Sequence, residues 1–292
     1  MEIIGEKIRL NARDGYALGA TYWQQEKPKG IVAINAGTCV DQKFYARFAH
    51  WLAQQHYDVL TYDYRGVGES APANLKGFKA SIVNWGQLDI PAVIDWMVEK
   101  YPHQKRGMIG HSMGGQIIGL ADNINQIDKI VAFVPSYGNW QNNAAKGRWK
   151  MGLNWATVFP FTVLRNGYFP ASRMGMGNDW PRGVTWDWWS WGIRRLPHSK
   201  IMENRGITHY YYDIKVPLKA YFTVDDLIAT ERCIPHYRVD FASTDLEVVM
   251  LKPEDYGVKK IAHLGMFSPK CQQLWEEVLR EFNMLDTFGN VE

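Results

Sequence analysis

The sequence predicts an α/β protein: a mostly parallel, eight-stranded sheet covered by helices on both faces, with a cap inserted after the sixth strand. Three observations predict it. Short apolar runs alternate with amphipathic helical patterns along the chain, and parallel strands need such helical crossovers. A glycine-flanked turn, Gly110-His111-Ser112-Met113-Gly114, stands between one such run and the next helical pattern. The alternation also breaks once, over 137–215, for a stretch too long to be a loop.

The elements follow in order. Lys7-Leu10 and Ala17-Tyr22 read as strands joined at Asp14-Gly15, a dipeptide that favours a tight reversal, so they form an antiparallel hairpin at a sheet edge. After Lys27-Pro28-Lys29-Gly30 come the strand Ile31-Ile34, a helix from Phe44 to Gln54 with apolar residues three and four apart, and the strand Asp58-Tyr62. A helix around Gln87 to Val98 and the strand Gly107-Ile109 lead into the glycine-flanked turn, helix signals resume at Gln116, and Ile130-Val134 is the sixth strand. Beyond the break lie the strands Leu218-Thr223 and Leu246-Leu251 and a closing helix from about Pro269 to Phe282. The core is thus assigned to 1–136 and 216–292, and the inserted cap to 137–215. Ligands of such sheets bind beyond the C-terminal ends of the strands, where a cap would lie over them.

Composition narrows the function classes. With 46% hydrophobic and 22% charged residues among 292, the chain can bury a large core and is not a disordered type. A net charge of +3 gives no footing for a nucleic-acid partner. The first residues lack the pattern of a signal peptide and no long apolar run follows, so a cytoplasmic protein without stable membrane insertion is expected. Cys39, Cys233 and Cys271 are widely spaced, which indicates neither a disulfide framework nor a metal site. No cofactor is called for, and nothing in the sequence sets the oligomeric state.

The chemistry concentrates at Gly110-His111-Ser112-Met113-Gly114. Placed between a strand and a helix, this G-x-S-x-G forms a strained elbow that lifts the Ser112 hydroxyl out of the sheet at the positive end of the helix. A serine hydroxyl is a weak nucleophile until a base takes its proton, and the base needs an acid to fix its tautomer. The order serine, acid, histidine leaves His198, His209, His236 and His263 as bases. Of these, His263 falls between the last strand and the last helix and is preferred. The strand Leu218-Thr223 runs into Val224-Asp225-Asp226. Adjacent residues of an extended segment point opposite ways, so one carboxylate faces the base, Asp226 preferred, while the other caps the next helix or contacts the loop. For the developing oxyanion the elbow offers the Met113 N–H, and the loop Asn35-Ala36-Gly37-Thr38-Cys39 offers Thr38 or, failing that, Cys39.

These residues resemble the α/β-hydrolase superfamily over nearly the whole chain. Asp63-Tyr64-Arg65-Gly66-Val67-Gly68-Glu69-Ser70 is similar to the D-x-R-G-x-G-x-S segment common there. Phe44-Tyr45, Gly110-His111-Ser112-Met113-Gly114-Gly115-Gln116, Gly167-Tyr168-Phe169-Pro170 and Ala262-His263-Leu264-Gly265-Met266-Phe267 resemble a group of uncharacterised bacterial predicted α/β hydrolases. The resemblance implies hydrolase activity and no particular substrate. One departure is Asn35-Ala36-Gly37, where many members of the superfamily have His-Gly.

The expected activity is hydrolysis of a small-molecule carboxylic ester or thioester through an acyl-enzyme on Ser112. The alternatives are acyl transfer on the same triad and a non-catalytic binding protein of the same fold. Between Tyr137 and Lys200 the chain carries nine Lys or Arg against two acids and eight of its thirteen Trp. Aromatics there can simply pack a small subdomain with little regular structure. As substrate contacts, Trp186 and Trp189 would line an apolar acyl pocket while Arg194 and Arg195 meet an anionic part of the substrate.

Overall fold

The strands of this chain are short and, in the middle of the sheet, buried along all or most of their length, as parallel strands covered on both faces must be. The computed structural model describes residues 3–137, 139–142 and 148–283. The ends of the expected core, 1–2 and 284–292, and residues 138 and 143–147 of the expected cap lie outside them. β1 (Gly5–Asn11) and β2 (Ala17–Trp23) form the predicted hairpin, with Gly15 in the left-handed region at its turn. β3 (Gly30–Asn35), α1 (Ala46–Gln54), β4 (Asp58–Tyr62), α2 (Ile90–Lys100), β5 (Lys105–His111), the short α3 (Met113–Gln116) and β6 (Lys129–Phe133) follow.

The chain then leaves the sheet. Its excursion holds α4 (Arg148–Leu153), α5 (Phe159–Asn166), the two-residue strands β7 (Tyr168–Phe169) and β8 (Trp180–Pro181), α6 (Arg182–Gly192) and α7 (His198–Asn204). It returns through β9 (Leu218–Thr223), α8 (Ile234–Asp240), β10 (Leu246–Leu251) and α9 (Gln272–Asn283). The eight-stranded sheet has the order β1-β2-β4-β3-β5-β6-β9-β10. β2 is antiparallel to β1 and β4, and the other neighbours are parallel.

Register decides where the site can be. Asn35 pairs with Gly110, His111 with Phe133, and Phe133 with Tyr221, so β3, β5, β6 and β9 end along one edge and their next loops emerge side by side.

The excursion is far more regular than an aromatic cluster without secondary structure. Trp186, Trp188, Trp189 and Trp191 all lie on α6, where aromatics on every face leave no helical period to read. Two buried carboxylates fasten it to the core. Asp187 of α6 accepts from the Ile82 N–H at 3.0 Å and pairs with Arg205 at 2.8 Å. Asp240 of α8 accepts from the N–H groups of His198 and Ser199 at 2.9 Å, from Ser199 Oγ and from the Tyr137 hydroxyl. These bonds satisfy backbone donors at the start of α7 that would otherwise be orphaned.

Candidate active site

Ser112 stands directly after β5 with φ +50° and ψ −117°, a conformation that costs a non-glycine residue about 1–3 kcal/mol. Its glycine neighbours make it attainable. A Cβ at Gly110 would come within 2.4 Å of Gly115 Cα, and one at Gly114 within 2.4 Å of the Asn35 carbonyl oxygen. Strand, elbow and following helix therefore close on one another only because both positions lack side chains. The Ser112 N–H donates to the Phe133 carbonyl at 2.8 Å, which pins the elbow to β6.

The structure brings the three residues predicted from the strand ends together. Ser112 Oγ lies 3.0 Å from His263 Nε2, and His263 Nδ1 lies 2.6 Å from Asp226 Oδ2. The other oxygen of Asp226 accepts from the N–H groups of Ile228 at 2.7 Å and Ala229 at 3.1 Å, so the buried carboxylate is held on both sides. Asp225 points the other way, into the loop that carries His263. It accepts from the N–H groups of Ile261 and Ala262, each at 2.9 Å, and from Thr223 Oγ1. Burial raises its pKa, but these three donors outweigh burial and hold it below the ordinary carboxylate range. Ala262, beside His263, has φ +48°, and Asp225 grips that strained peptide.

His111, inside the elbow, is buried and makes a different connection. Its Nε2 lies 2.9 Å from the His263 carbonyl oxygen, which can only accept, so Nε2 carries the hydrogen. Its Nδ1 then accepts from the Tyr45 hydroxyl at 2.7 Å, and that hydroxyl in turn accepts from the Gly37 N–H at 2.9 Å. Burial first, and the neighbouring His263 second, pushes the pKa of His111 down to about 3, so it is neutral at physiological pH. A neutral imidazole thus ties the loop after β3 to the loop bearing His263. In the sequence, Tyr45 shows only as part of Phe44-Tyr45, and nothing local marks its partner.

Ser112 and His263 open onto a cavity of about 850 Å³. Thr38 lines it, and neither the Thr38 nor the Met113 N–H has an acceptor among the described residues. Ser136 also lines it, with Oγ 3.4 Å from Ser112 Oγ. Sequence reasoning did not reach Ser136, which lies past the end of β6 without a motif. The remaining walls are largely apolar: core loops give Val40, Phe44, Ile228 and Leu264 with Asp41 and Lys43 beside them, and the excursion gives Phe159, Phe169, Trp180 and Trp188, packed ring against ring.

The four residues expected to contact substrate do not line this cavity. On α6, Val184, Trp188 and Trp191 share one face, whereas Trp186 and Trp189 share another with Ile193, the residue that caps the helix. Trp186 packs on Trp189 at 5.5 Å, and Trp189 lines a separate surface groove with Trp140 and Ile193. Arg194 is exposed and donates to the Ser190 carbonyl, and Arg195 is exposed beside it. One step of helical rotation thus puts Trp188, rather than its neighbour Trp189, at the cavity.

The chain matches the serine aminopeptidase family S33 over residues 26–168. Its whole architecture is also that of solved α/β hydrolases. The chain has the α/β-hydrolase fold. A soluble variant of monoglyceride lipase from Saccharomyces cerevisiae superposes on this hydrolase fold with a TM-score of 0.70 at 16% identity, covering 96% of each chain. A Pyrococcus furiosus esterase gives 0.64 at 16% identity, covering 97% of this chain and 91% of its own. The thioesterase domain of the curacin biosynthetic pathway gives 0.56 at 15%, covering 94% and 99%. Comparison with curated proteins finds no match by sequence. Among the described residues no His, Cys, Asp or Glu group could hold a metal ion, and no helix is long and apolar enough to cross a membrane.

Proposed function

We propose that this α/β hydrolase is a serine esterase or thioesterase that cleaves a small-molecule acyl ester through an acyl-enzyme on Ser112. The observation that carries the reading is the unbroken hydrogen-bonded line from Asp226 through His263 to Ser112, ending at an apolar cavity. The similarity in fold to an esterase, a monoglyceride lipase and a thioesterase agrees with that class of chemistry.

In this mechanism Asp226 keeps the proton on Nδ1 of His263, leaving Nε2 as the acceptor for the Ser112 proton. As the proton moves to Nε2, Oγ attacks the acyl carbon, and the N–H groups of Met113 and Thr38 receive the oxyanion. His263 returns the proton to the departing oxygen or sulfur. Water, deprotonated by the same nitrogen, then releases the acid.

The excursion acts as a cap, with Phe159, Phe169, Trp180 and Trp188 around an apolar acyl group. Arg194 and Arg195 lie away from the cavity, whose charged lining is one residue of each sign, Lys43 and Asp41.

A fluorophosphonate probe followed by peptide mapping tests the nucleophile, with label expected on Ser112 and none in Ser112→Ala. p-Nitrophenyl esters and acyl thioesters of graded chain length then sort the substrates. Label on another serine, or a folded protein that takes no label, overturns the proposal.

A further inference from the structure

The loop offering Thr38 is a tight turn. The Val40 N–H donates to the Gly37 carbonyl at 3.2 Å, and Cys39, third in the turn, has φ +52°. Glycine usually takes that position because a Cβ there is strained. Something outside the turn must hold it.

The holder comes from the excursion. The Cys39 carbonyl accepts twice from Asn178, from its N–H at 3.1 Å and from Nδ2 at 3.2 Å. Nδ2 also reaches Asp41 Oδ2 at 3.2 Å. The Cys39 carbonyl and the Val40 N–H belong to one peptide group, and the Gly37 carbonyl and the Thr38 N–H to the next in line. Asn178 therefore orients the first peptide, whose N–H orients the second, whose N–H is Thr38's. Aligned amides of this kind also polarise one another. Gly177 lets Asn178 come so close: with φ +85°, its missing Cβ would stand 3.1 Å from the Cys39 oxygen. The far end of the turn is held by the Tyr45 hydroxyl on the Gly37 N–H.

We propose that Asn178 is a positioning residue for the oxyanion, aiming the Thr38 N–H through the Cys39–Val40 peptide. This rests on Thr38 being an oxyanion donor, as in the function proposed above. The excursion thereby supplies part of the catalytic geometry as well as the walls of the acyl cavity, although Asn178 touches no reacting atom.

The test compares Asn178→Asp, which keeps the shape but loses the donor, with Asn178→Gln, which keeps an amide donor, and with Gly177→Ala, which crowds the Cys39 carbonyl. Each is assayed where its melting curve shows it folded. Removing an oxyanion donor outright costs about a hundredfold or more in kcat; here the Asn178 backbone bond survives, so about tenfold is expected for Asn178→Asp. The loss should be equal for short and long acyl chains, with KM within twofold. Affinity for a trifluoromethyl ketone, whose adduct with serine places an oxyanion in the same spot, should fall in parallel. Asn178→Gln should recover part of the rate, and Gly177→Ala should behave like Asn178→Asp. An unchanged kcat in Asn178→Asp, or a loss that grows with acyl length, overturns the proposal. Failure of the underlying function looks different, because Ser112→Ala would then turn over ester as fast as the wild type.

Discussion

The sheet edge and the excursion above it fix side chains in different ways. At the edge, Ser112 directly follows β5 and Asp226 lies three residues past β9, strands whose register is set by backbone pairing, and His263 stands on a loop gripped by Asp225. In the excursion, a side chain reaches the cavity or misses it according to its rotation on a helix, as Trp188 and Trp189 do. Pairing leaves a trace in the sequence as apolar runs ending at particular residues. Rotation leaves one only where apolar and polar faces alternate, and α6 has aromatics on both.

The two adjacent carboxylates of the edge should give the largest difference. Asp226→Asn should lower turnover by about ten-thousandfold, the scale seen when a triad acid is neutralised elsewhere. Asp225→Asn disturbs only the seating of the His263 loop and should cost about ten- to a hundredfold. Steady-state kinetics on one p-nitrophenyl ester separates them, and a larger loss at Asp225 would exchange their roles.

A smaller effect tests the excursion. Trp188→Ala enlarges the cavity and should lower kcat/KM for the best long-chain ester by about tenfold, consistent with the loss of a large, half-buried ring. Trp189→Ala and Arg194→Ala should leave the chain-length profile and the ratio of neutral to anionic leaving groups within about twofold, at low and high salt alike. A chain-length shift in Trp189→Ala instead would mean that α6 presents its other face to substrate.

The smallest effect concerns pH. His198 of α7 is buried between Tyr137 and Trp191. Burial, and next the charge of His236, lowers its pKa from 6.5 to about 3. Between those values the folded protein binds fewer protons than the unfolded chain, so stability rises with pH across that window and is lost as pH falls below about 6.5. His111 acts in the same direction from the core. Melting temperature should drop from pH 7 to pH 5, and His198→Phe should shrink the drop without abolishing it. An undiminished drop in His198→Phe would place the sensitivity at the sheet edge.

Much of this molecule is legible before folding. The eight strands and their order of direction follow from the Asp14-Gly15 hairpin and the strand-helix alternation. The elbow follows from glycines on both sides of Ser112, where the structure leaves no room for a Cβ. What escapes are contacts made only by tertiary packing. Asn178 meets the Cys39 carbonyl across 139 residues, and Tyr45 joins Gly37 to His111 through a hydroxyl with no local motif. The substrate contacts expected at Trp186, Trp189, Arg194 and Arg195 came from composition, which gives the chemistry of a segment without its facing.

Asp240 has a thermodynamic consequence. A carboxylate on a core helix takes its donors from Tyr137, His198 and Ser199, on the other side of the boundary between core and excursion. Pulling the two apart would strand a buried acceptor and several donors at once, each costing about 1–3 kcal/mol. The halves should therefore unfold as a single cooperative unit, giving one calorimetric peak whose measured enthalpy equals the van't Hoff value.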